Sequence, residues 1–506
     1  MPEIKPRATW LAEISGGYVE LPEPPQVQKY LGGQRTDVEA HYERSGSTPE
    51  LERLKREGAA LVSARFFSGF GLEHEKSEFE RGRELCARAH DAGLRVAARV
   101  SLGWAIPETL IQEEPDSQNW MQLTHDGKAV WGVASFQCRP CYNSEGWLRF
   151  VEKAAGLAVD GGADLIFFDG AGYSPTVRAC HCPLCVGAFR DFLRVRYGSH
   201  DPATRAAGQA RFGHNQFAHV RPPVESIASQ IAAPHQQEWI LFKIRTVTDA
   251  LARVARVVRR LNPQCAVGAD VFDTFFAAGS EYLFGIDPAQ WLPLLDAAFM
   301  REPRAEFPAG WADSDRIARG LNVRLGAKVA RAFGALTLDA LQSPPLEKPP
   351  SGMAVFHDTP STAFNSSAAD SRHELEMKLL ERGVGFDVLH AGDLANLKSY
   401  ACVVLANCEC LSDELAVLFE NYVEHGGGLI VTEHTGRRDP WRRTRAENAL
   451  ARLILAPGST VAPTSASSFN ELKLGRVAYL PQTADDWEGF ESAVKWLAGA
   501  AHASVG

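Results

Sequence analysis

A short apolar segment that ends in a carboxylate constrains the fold of this chain most strongly. Residues 165–168 read Leu-Ile-Phe-Phe, with Asp164 before them and Asp169 and Gly170 after them. So short a run of branched and aromatic residues predicts a strand that is buried on both faces, as in a parallel sheet covered by helices. Asp169 then falls where the strand ends and a loop begins. In a parallel barrel this is the rim where catalytic groups collect.

Strand and helix patterns alternate on both sides of this segment. Strands are predicted at 59–67, 94–102, 164–169, 265–271, 295–300 and 336–338, and a first strand either at 9–14 or at 37–42. Helices are predicted at 48–55, 77–92, 145–159, 186–197, 238–261 and 317–333, whereas 199–234 resembles a loop. This alternation predicts a parallel α/β fold, and a (β/α)8 TIM barrel is the natural closure at this length. Seven strands are recognisable.

A proline-rich segment divides the chain into two predicted domains. Residues 342–352, QSPPLEKPPSG, contain four prolines and are typical of a stiff linker. We therefore expect a barrel over 1–345 and a second domain over 346–506. The second domain repeats the alternation, with strands at 353–357, 386–389, 400–406, 429–433 and 477–480. This pattern predicts a doubly wound sheet of the flavodoxin type.

Composition excludes several classes of partner. The chain of 506 residues has a formal charge of -9, which argues against nucleic-acid binding. It has no apolar run of the ~20 residues that cross a bilayer, and no membrane partner is expected. No signal peptide is recognisable at the start, so we expect a cytoplasmic protein. Its ten cysteines are then expected to be thiols or metal ligands rather than disulfides.

Candidate catalytic carboxylates follow several predicted strands. Asp169 has two interpretations of similar weight, a catalytic group or an aspartate that merely caps a loop. Glycoside cleavage needs two carboxyl groups across the scissile bond. Glu302 ends a later strand and is the first choice for the partner, although a surface glutamate before a proline is about as probable. Asp270 and Asp273 are the other candidates, and they are otherwise expected to bind substrate.

Aromatic and polar residues at other strand ends predict a wall for a sugar ring. Trp104, Tyr173, Phe70 and His74 follow three of the predicted strands. Pyranose faces stack on aromatic rings, so these side chains are candidate substrate contacts. Each one alone is more often part of a core or a surface.

A cysteine cluster is the most specific motif. Cys180, Cys182 and Cys185 form C-x-C-x-x-C, a spacing suited to one tetrahedral thiolate site. Cys138 or Cys141, both in the preceding loop, can supply the fourth ligand. Four thiolates close the coordination shell of zinc, so we expect one structural Zn²⁺ and no organic cofactor. The alternative is a set of thiols without a metal.

These motifs together resemble the barrel of glycoside hydrolases related to families 42 and 151. The resemblance rests on FFDG, on CHCPLC with C-Y-N-S at 141–144 before it, and on CPLCVGAFRDFLRVRYG. In family 42 a cysteine of the preceding loop joins the zinc ligands, and the resemblance assigns this role to Cys141. The second half resembles the β-galactosidase trimerisation domain, which has a class I amidotransferase-like fold, through ERGVGFDVLHAGDL, YACVVLANCECLS and YVEHGGGLIVTE. It implies a homo-oligomer, either a dimer or a trimer.

One departure from the family 42 pattern bears on function. Family 42 β-galactosidases carry an Asn-Glu acid at the end of strand four, where this chain has Phe168 and Asp169. An aspartate nucleophile at this place instead resembles the α-L-fucosidase-like enzymes of family 151. The resemblance therefore implies a retaining exo-α-glycosidase such as an α-L-fucosidase, with Asp169 as nucleophile and Glu302 as acid/base. A β-galactosidase-like family 42 relative and a catalytically silent sugar-binding scaffold are the alternatives.

The amidotransferase-like half shows no nucleophile of its own. Cys408 and Cys410 follow a strand, but the glycines that flank a nucleophile elbow are replaced by Asn407, Glu409 and Leu411. We therefore expect this domain to support oligomer contacts.

Overall fold

The computed structural model describes most of the chain. The described residues are 8–13, 17–30, 37–132, 136–174, 179–198, 201–224, 230–271, 280–300, 313–333, 335–339, 352–455, 467–482 and 486–501. The predicted domain boundary at 345 lies outside them and remains a prediction. No helix among them is both long and apolar enough to span a membrane.

The first domain is a parallel, barrel-like sheet. Its seven described strands are neighbours in chain order: β1 Gly17–Glu20, β2 Ala59–Phe67, β3 Arg95–Ser101, β4 Leu165–Asp169, β5 Ala266–Val271, β6 Ala297–Met300 and β7 Leu336–Asp339. Cα atoms of β1 and β7 come within 8 Å of each other. An eighth barrel strand does not occur in the described ranges. The predicted α/β class with a TIM-like barrel is therefore confirmed, with seven strands described.

Helices cover the outside of this sheet. They are α1 Pro25–Tyr30, α2 Val38–Ser45, α3 Thr48–Arg56, α4 Lys76–Asp91, α5 Pro107–Glu113, α6 Glu145–Asp160, α7 Pro183–Tyr197, α8 Pro202–Phe212, α9 Pro234–Leu261, α10 Ser280–Phe284, α11 Pro288–Trp291 and α12 Asp313–Ala332. Short 3-10 turns lie at Thr9–Glu13, Pro115–Trp120 and Leu292–Leu294. Both predicted positions of the first strand are wrong, since 9–13 is a turn and 38–45 is a helix. The true strand, GYVE, is too short and polar to be recognised, and α8 was missed because its small residues show no apolar period.

Side chains along the strands divide the barrel into a dry lower part and a charged mouth. Leu61, Ala97, Leu165 and Ala266 belong to one buried apolar cluster that fills the interior near the strand starts. The outward residues of the same strands pack against the helices in a separate, larger core. Because side chains alternate with period two, Arg65 of β2 and Arg99 of β3 lie on the same interior face, four residues after Leu61 and two residues after Ala97. The mouth is therefore where buried charge is concentrated.

The second domain is a mostly parallel sheet of six described strands. They are β8 Met353–His357, β9 Asp387–His390, β10 Cys402–Leu405, β11 Gly428–Thr432, β12 Ser468–Leu472 and β13 Gly475–Leu480, in the order β12-β13-β11-β10-β8-β9. Only β12 is antiparallel. The helices are α13 Thr359–Phe364, α14 Ser366–Glu381, α15 Asp413–Glu424, α16 Ala451–Ile454 and α17 Trp487–Ala501, with a 3-10 segment at Ala391–Ser399. The parallel strands follow the flavodoxin order, as predicted, with β12 added at one edge.

The two domains meet across polar contacts and a cavity. The backbone nitrogen of Ile231 donates to the carbonyl oxygen of Phe364 over 2.8 Å, and the guanidinium of Arg211 stacks 3.7 Å from the ring centroid of Trp441. A cavity of about 130 Å³ lies between α10–α12 and the carboxyl ends of β8 and β9. Among the residues that line it are Asp287 from the barrel and Asp358 from the second domain.

Both of these aspartates are buried. Burial raises the pKa of Asp287 to about 6, and the nearby charge of Glu281 adds to the shift. Burial also raises the pKa of Asp358 to about 6, opposed by hydrogen bonds from Ser361 and by the charge of Arg372. The folded pKa therefore exceeds that of the unfolded chain, and ionisation of either group destabilises the folded state.

We predict that Asp358→Asn stabilises the protein at neutral pH. Asparagine keeps the N-cap of α13 but does not ionise, so the free energy of unfolding should rise by about 2 kcal/mol at neutral pH. As the pH falls from about 6 towards 3.8, the ordinary pKa of aspartate, the folded wild type takes up a proton before the unfolded chain does and regains this stability. Urea unfolding at a series of pH values measures the difference. A difference that stays constant from neutral pH to pH ~4.5 would contradict the assignment.

Candidate active site and cysteine cluster

Asp169 lies at the carboxyl end of β4, at the mouth of the barrel. It is 6% exposed. Its carbonyl oxygen accepts hydrogen bonds from the backbone nitrogens of Leu102 and Gly103, at 3.0 and 3.2 Å. A Cβ at Gly103 would clash with the carbonyl oxygen of Gly170, so glycine is required for this close approach of the two strand ends. The position of Asp169 is thus fixed by backbone contacts that the sequence specifies.

A buried network of charges surrounds the carboxyl group of Asp169. Nη1 of Arg65 donates to Oδ2 of Asp169, and the same guanidinium binds both carboxylate oxygens of Glu23 at 3.0 Å. Arg99 joins Glu23 at 2.7 Å and also pairs with Glu20. Three carboxylates therefore alternate with two guanidinium groups.

The carboxylates of this buried network act on the pKa of Arg65. Burial alone would lower the pKa of Arg65, but the charges of Asp169 and Glu23 outweigh it and raise this pKa well above the usual range. Oδ1 of Asp169 is buried and has no hydrogen-bond partner among the described residues. Leaving a buried oxygen without a hydrogen bond costs ~1–3 kcal/mol of stability. A catalytic role is one explanation for such an atom. Arg65 thus binds one oxygen of Asp169, while the other oxygen accepts no hydrogen bond from the described residues.

Sequence reasoning missed Arg65, Arg99, Glu20 and Glu23. A signal was present, because Arg65 lies inside the largely apolar strand β2 and Arg99 lies inside the largely apolar strand β3. A fully buried arginine needs a partner charge, and Arg99 is 0% exposed. Reading these two strands with period two would have placed both arginines on the face that carries Asp169.

The predicted aromatic wall is only partly assembled. Trp104 is half-buried beside Asp169, since a Cβ at Gly170 would clash with its indole ring. His74 is exposed on the loop after β2, where its ring stacks on that of Phe70 with centroids 5.7 Å apart. Tyr173 is 0% exposed, and its hydroxyl lies 3.9 Å from Sγ of Cys185. Because its ring presents no face to a ligand, we assign Tyr173 to the cysteine cluster rather than to the substrate.

The candidate partner carboxylates for Asp169 lie at or beyond the ends of the described segments. The backbone of Asp270 lies in β5 and pairs in register with Phe299 of β6. Asp273 and Glu302 lie outside the described residues, so their assignments remain predictions. One strand-end carboxylate was overlooked: β7 ends at Asp339, whose backbone pairs with Met300. The predicted strand stopped one residue short of it.

Four cysteines form a compact, buried cluster. They are Cys141, Cys180, Cys182 and Cys185, and their sulfur atoms all lie within 4.8 Å of one another. Cys141 precedes α6, and the other three lie at the start of α7. Cys138 is also buried, but its backbone pairs with Ala105 and it does not belong to the cluster. The structure therefore resolves the choice between Cys138 and Cys141 in favour of Cys141.

The surroundings of the cluster suit thiolate ligands. Backbone nitrogens of Leu123, Asn143 and Cys185 each point at a cluster sulfur over 3.4 Å, and Nδ2 of Asn143 lies 3.2 Å from Sγ of Cys185. Such donors stabilise negative charge on sulfur and orient metal ligands. A buried set of this kind can hold a metal such as zinc, and its four thiolates would leave no position open for water.

The second domain contains no activated thiol at the predicted positions. Burial raises the pKa of Cys408 and of Cys410 well above the usual range for a thiol. Since the thiolate is the nucleophile, neither side chain is suited to amidotransferase chemistry. This agrees with the absence of flanking glycines.

We predict that Arg65→Met destabilises the protein by about 3 kcal/mol, because it removes the partner charge of Asp169 and leaves Glu23 with Arg99 alone. Arg53→Met is the matched control, since its carboxylate partners Glu50 and Glu57 are surface groups; it should cost less than ~1 kcal/mol. Adding Asp169→Asn to Arg65→Met should restore part of the loss. Urea unfolding of the four proteins checks this, and an Arg65→Met variant as stable as the control would contradict the network.

Comparison with known proteins places the chain in a family. Residues 40–302 match the family 42 glycoside hydrolase profile described as β-galactosidase, and residues 360–474 match the β-galactosidase trimerisation domain. No curated protein sequence matches the chain. Both matches agree with the resemblance seen in the sequence. The first profile is described for β-galactosidases, so the findings favour the family 42 alternative over the α-L-fucosidase.

Solved structures of the same family share the fold at low identity. A catalytic mutant of a family 42 β-galactosidase from G. stearothermophilus is 14% identical, with a TM-score of 0.69 over 96% of this chain and 87% of that chain. The β-galactosidase from the haloarchaeon Halorubrum lacusprofundi is 18% identical, with a TM-score of 0.63 over 96% and 89%. A family 42 exo-carrageenase from Bacteroides ovatus is 11% identical, with a TM-score of 0.52 over 98% and 70%. The likeness extends over both domains. Since the family 42 profile spans more than half of the sequence, the chain belongs to glycoside hydrolase family 42.

Proposed function

We propose that the protein hydrolyses terminal β-galactoside bonds with retention of configuration, and that Asp169 is its nucleophile. The observation that carries this proposal is the carboxyl group of Asp169 itself. It lies at a strand end in the barrel mouth, with Oδ2 bound by Arg65 and Oδ1 unpartnered among the described residues. The family match and the β-galactosidases with the same fold support the substrate class.

The charge environment favours a nucleophile over a general acid. A nucleophile must be ionised, whereas a general acid must carry a proton at the working pH. Asp169 forms an ion pair with Arg65, and a neighbouring cation suits a group that attacks as an anion. The pairing therefore supports the role assigned from the sequence, although family 42 resemblance alone would place an acid at this strand end.

In the proposed mechanism, an oxygen of Asp169 attacks the anomeric carbon while a carboxylic acid protonates the leaving glycosidic oxygen. The carboxylate left after that acid has given up its proton then deprotonates a water molecule. The water cleaves the glycosyl ester and releases Asp169. This mechanism needs the two carboxyl groups ~5–5.5 Å apart. Glu302 remains the first candidate for the acid, and Asp339, which ends β7, is the second.

The substrate-binding roles are proposals as well. Trp104 is the best-placed aromatic side chain, because its ring packs on Gly170 directly after Asp169. His74 would contact a more distant part of the substrate from its exposed loop. Asp270 and Asp273 are proposed to bind sugar hydroxyls from the end of β5.

We predict that Asp169→Asn lowers kcat by several orders of magnitude and leaves the fold intact, because the amide cannot form the glycosyl ester. Asp164→Asn is the matched control. Asp164 directly precedes the same strand, where it pairs with His90 and Arg95. A panel of nitrophenyl glycosides, including β-D-galactoside and α-L-fucoside, measures both activity and specificity.

Each outcome of the panel separates the alternatives. Hydrolysis of the β-galactoside supports the proposal, and hydrolysis of the α-L-fucoside alone would restore the first expectation from the sequence. A wild-type protein without activity on the whole panel would favour a silent sugar-binding scaffold. An Asp169→Asn variant with near-normal activity would move the nucleophile to another carboxylate.

We also propose one structural Zn²⁺ per chain on the four-cysteine cluster. Zinc prefers tetrahedral thiolate sites, and the clustered sulfurs have this composition. We predict about one equivalent of zinc in wild-type protein purified without chelator. Cys141→Ser should lose the metal, while Cys138→Ser, a buried cysteine three residues away, should keep it. Equal zinc content in the two variants would contradict the ligand set.

The second domain is proposed to hold a homo-oligomer together. Its match to the β-galactosidase trimerisation domain supports this role, and closed symmetry is the usual outcome. We predict that the full chain is a dimer or trimer and that a protein ending near residue 345 is a monomer. Light scattering of the two proteins measures this. If both are monomers, the domain does not mediate assembly.

A further inference from the structure

Two side chains that flank a cluster cysteine hold the loop that follows Asp169. The hydroxyl of Tyr142 accepts a hydrogen bond from the backbone nitrogen of Gly172 at 2.8 Å and donates to its carbonyl oxygen at 3.0 Å. Nη1 of Arg139 donates to the carbonyl oxygens of Gly170 and Gly172, at 2.6 and 3.3 Å. Both side chains are buried, so water does not compete strongly for these bonds.

The loop needs such external contacts because its own conformation is permissive. Gly170 and Gly172 have φ angles of 68° and 112°, which glycine adopts readily but does not favour over other conformations. The next two attachments are also external: the backbone nitrogen of Tyr173 donates to the carbonyl oxygen of Phe284 at 2.8 Å, and that of Ser174 donates to Oε1 of Gln122 at 3.3 Å. Order in this loop therefore comes from its neighbours, and at Gly170 and Gly172 from the segment that contains Arg139 and Tyr142.

That segment also carries a cluster cysteine. Cys141 lies between Arg139 and Tyr142 in the chain, and its sulfur is 3.4–3.5 Å from those of Cys185 and Cys182. Backbone hydrogen bonds hold the segment as well, since the nitrogens of Arg139 and Cys141 donate to the carbonyl oxygens of Val130 and Trp120. The cluster thus adds a side-chain link between the segment before α6 and the residues that follow the Asp169 loop.

Arg139 connects the same contacts to the proposed substrate surface. Its guanidinium carbon lies 3.7 Å from the ring centroid of Trp104, and this indole packs against Gly170. One arginine therefore fixes both the loop after Asp169 and the aromatic ring beside it. A stacked guanidinium with two carbonyl acceptors has a defined orientation, which a lysine ammonium cannot reproduce.

We propose that Arg139 and Tyr142 are positioning residues, through which the four-cysteine cluster fixes Asp169 and Trp104 in their catalytic arrangement. This inference rests on the proposed glycosidase function. Neither side chain is assigned a contact with the reacting atoms. A displacement of ~1 Å at a reacting group can cost about a hundredfold in rate, so contacts outside the reaction centre can control kcat.

The test compares two tyrosine hydroxyls of similar burial. Tyr142→Phe removes both bonds to Gly172, whereas Tyr422→Phe removes a single bond of 2.9 Å to the carbonyl oxygen of Tyr400 in the second domain. For Tyr142→Phe we expect kcat to fall ~10–100-fold with KM changed less than ~2-fold. The variant displaces Asp169, which reacts only after the substrate has bound. Zinc content should stay at the wild-type level. Tyr422→Phe should match the wild type in both parameters.

A conservative series at Arg139 separates positioning from bulk packing. Arg139→Met keeps apolar volume but loses both carbonyl contacts, and Arg139→Lys keeps one donor. We expect kcat in the order wild type, Arg139→Lys, Arg139→Met. Equal values for the two variants would contradict a role for the donors.

Hydrogen–deuterium exchange tests the positioning role of Tyr142 without relying on glycosidase activity. Deuterium uptake in 169–174 should rise in Tyr142→Phe and remain at the wild-type level in Tyr422→Phe. If the wild type hydrolyses glycosides and the two variants have equal kcat, the inference is overturned while the proposed function stands. If the wild type is inactive on every glycoside, the proposed function fails and exchange alone decides, with unchanged uptake in Tyr142→Phe overturning the inference.

Discussion

The buried ion pair between Asp169 and Arg65 is the interaction on which the arrangement of the barrel mouth depends. Two isolated charges would be expelled from such an interior, but here each carboxylate meets a guanidinium from another part of the barrel sheet. The alternation of side chains on β2 and β3 places both arginines inside, directly above a dry apolar layer. Charge is thereby confined to the carboxyl ends of the strands. Oδ1 of Asp169 has no hydrogen-bond partner within the described part of the chain, which is why we propose a chemical role for this group.

The cysteine cluster complements this network from outside the barrel. The strands and their ion pairs fix the main chain up to Asp169, whereas the loop beyond it depends on the segment that includes Cys141. The cluster, the loop and the indole of Trp104 thus form one continuous set of contacts beside Asp169. We propose that the cluster acts on catalysis by limiting the freedom of this glycine-containing loop.

Much of this architecture follows from sequence, and the failures have physical causes. The apolar strand before Asp169 and the cysteine spacing were sufficient to predict a parallel barrel and a thiolate cluster, because both are local patterns with few alternatives. The choice between Cys138 and Cys141 could not come from spacing, since both precede the same helix. Arg65 and Glu23 are 42 residues apart, and their pairing depends on strand order. Tyr173 looked suitable for stacking on a sugar, yet packing against the cluster buries it completely.

The central claim is that Asp169 forms a covalent bond to the sugar. Incubation with a 2-deoxy-2-fluoro-β-galactoside that carries a good leaving group slows the second step and traps the glycosyl-enzyme, which peptide mass spectrometry then locates. The account predicts one fluorogalactosyl group per chain, on the peptide that contains Asp169, and no label in Asp169→Asn. A label on Asp339, Glu302 or any other carboxylate, with Asp169 unmodified, would contradict it.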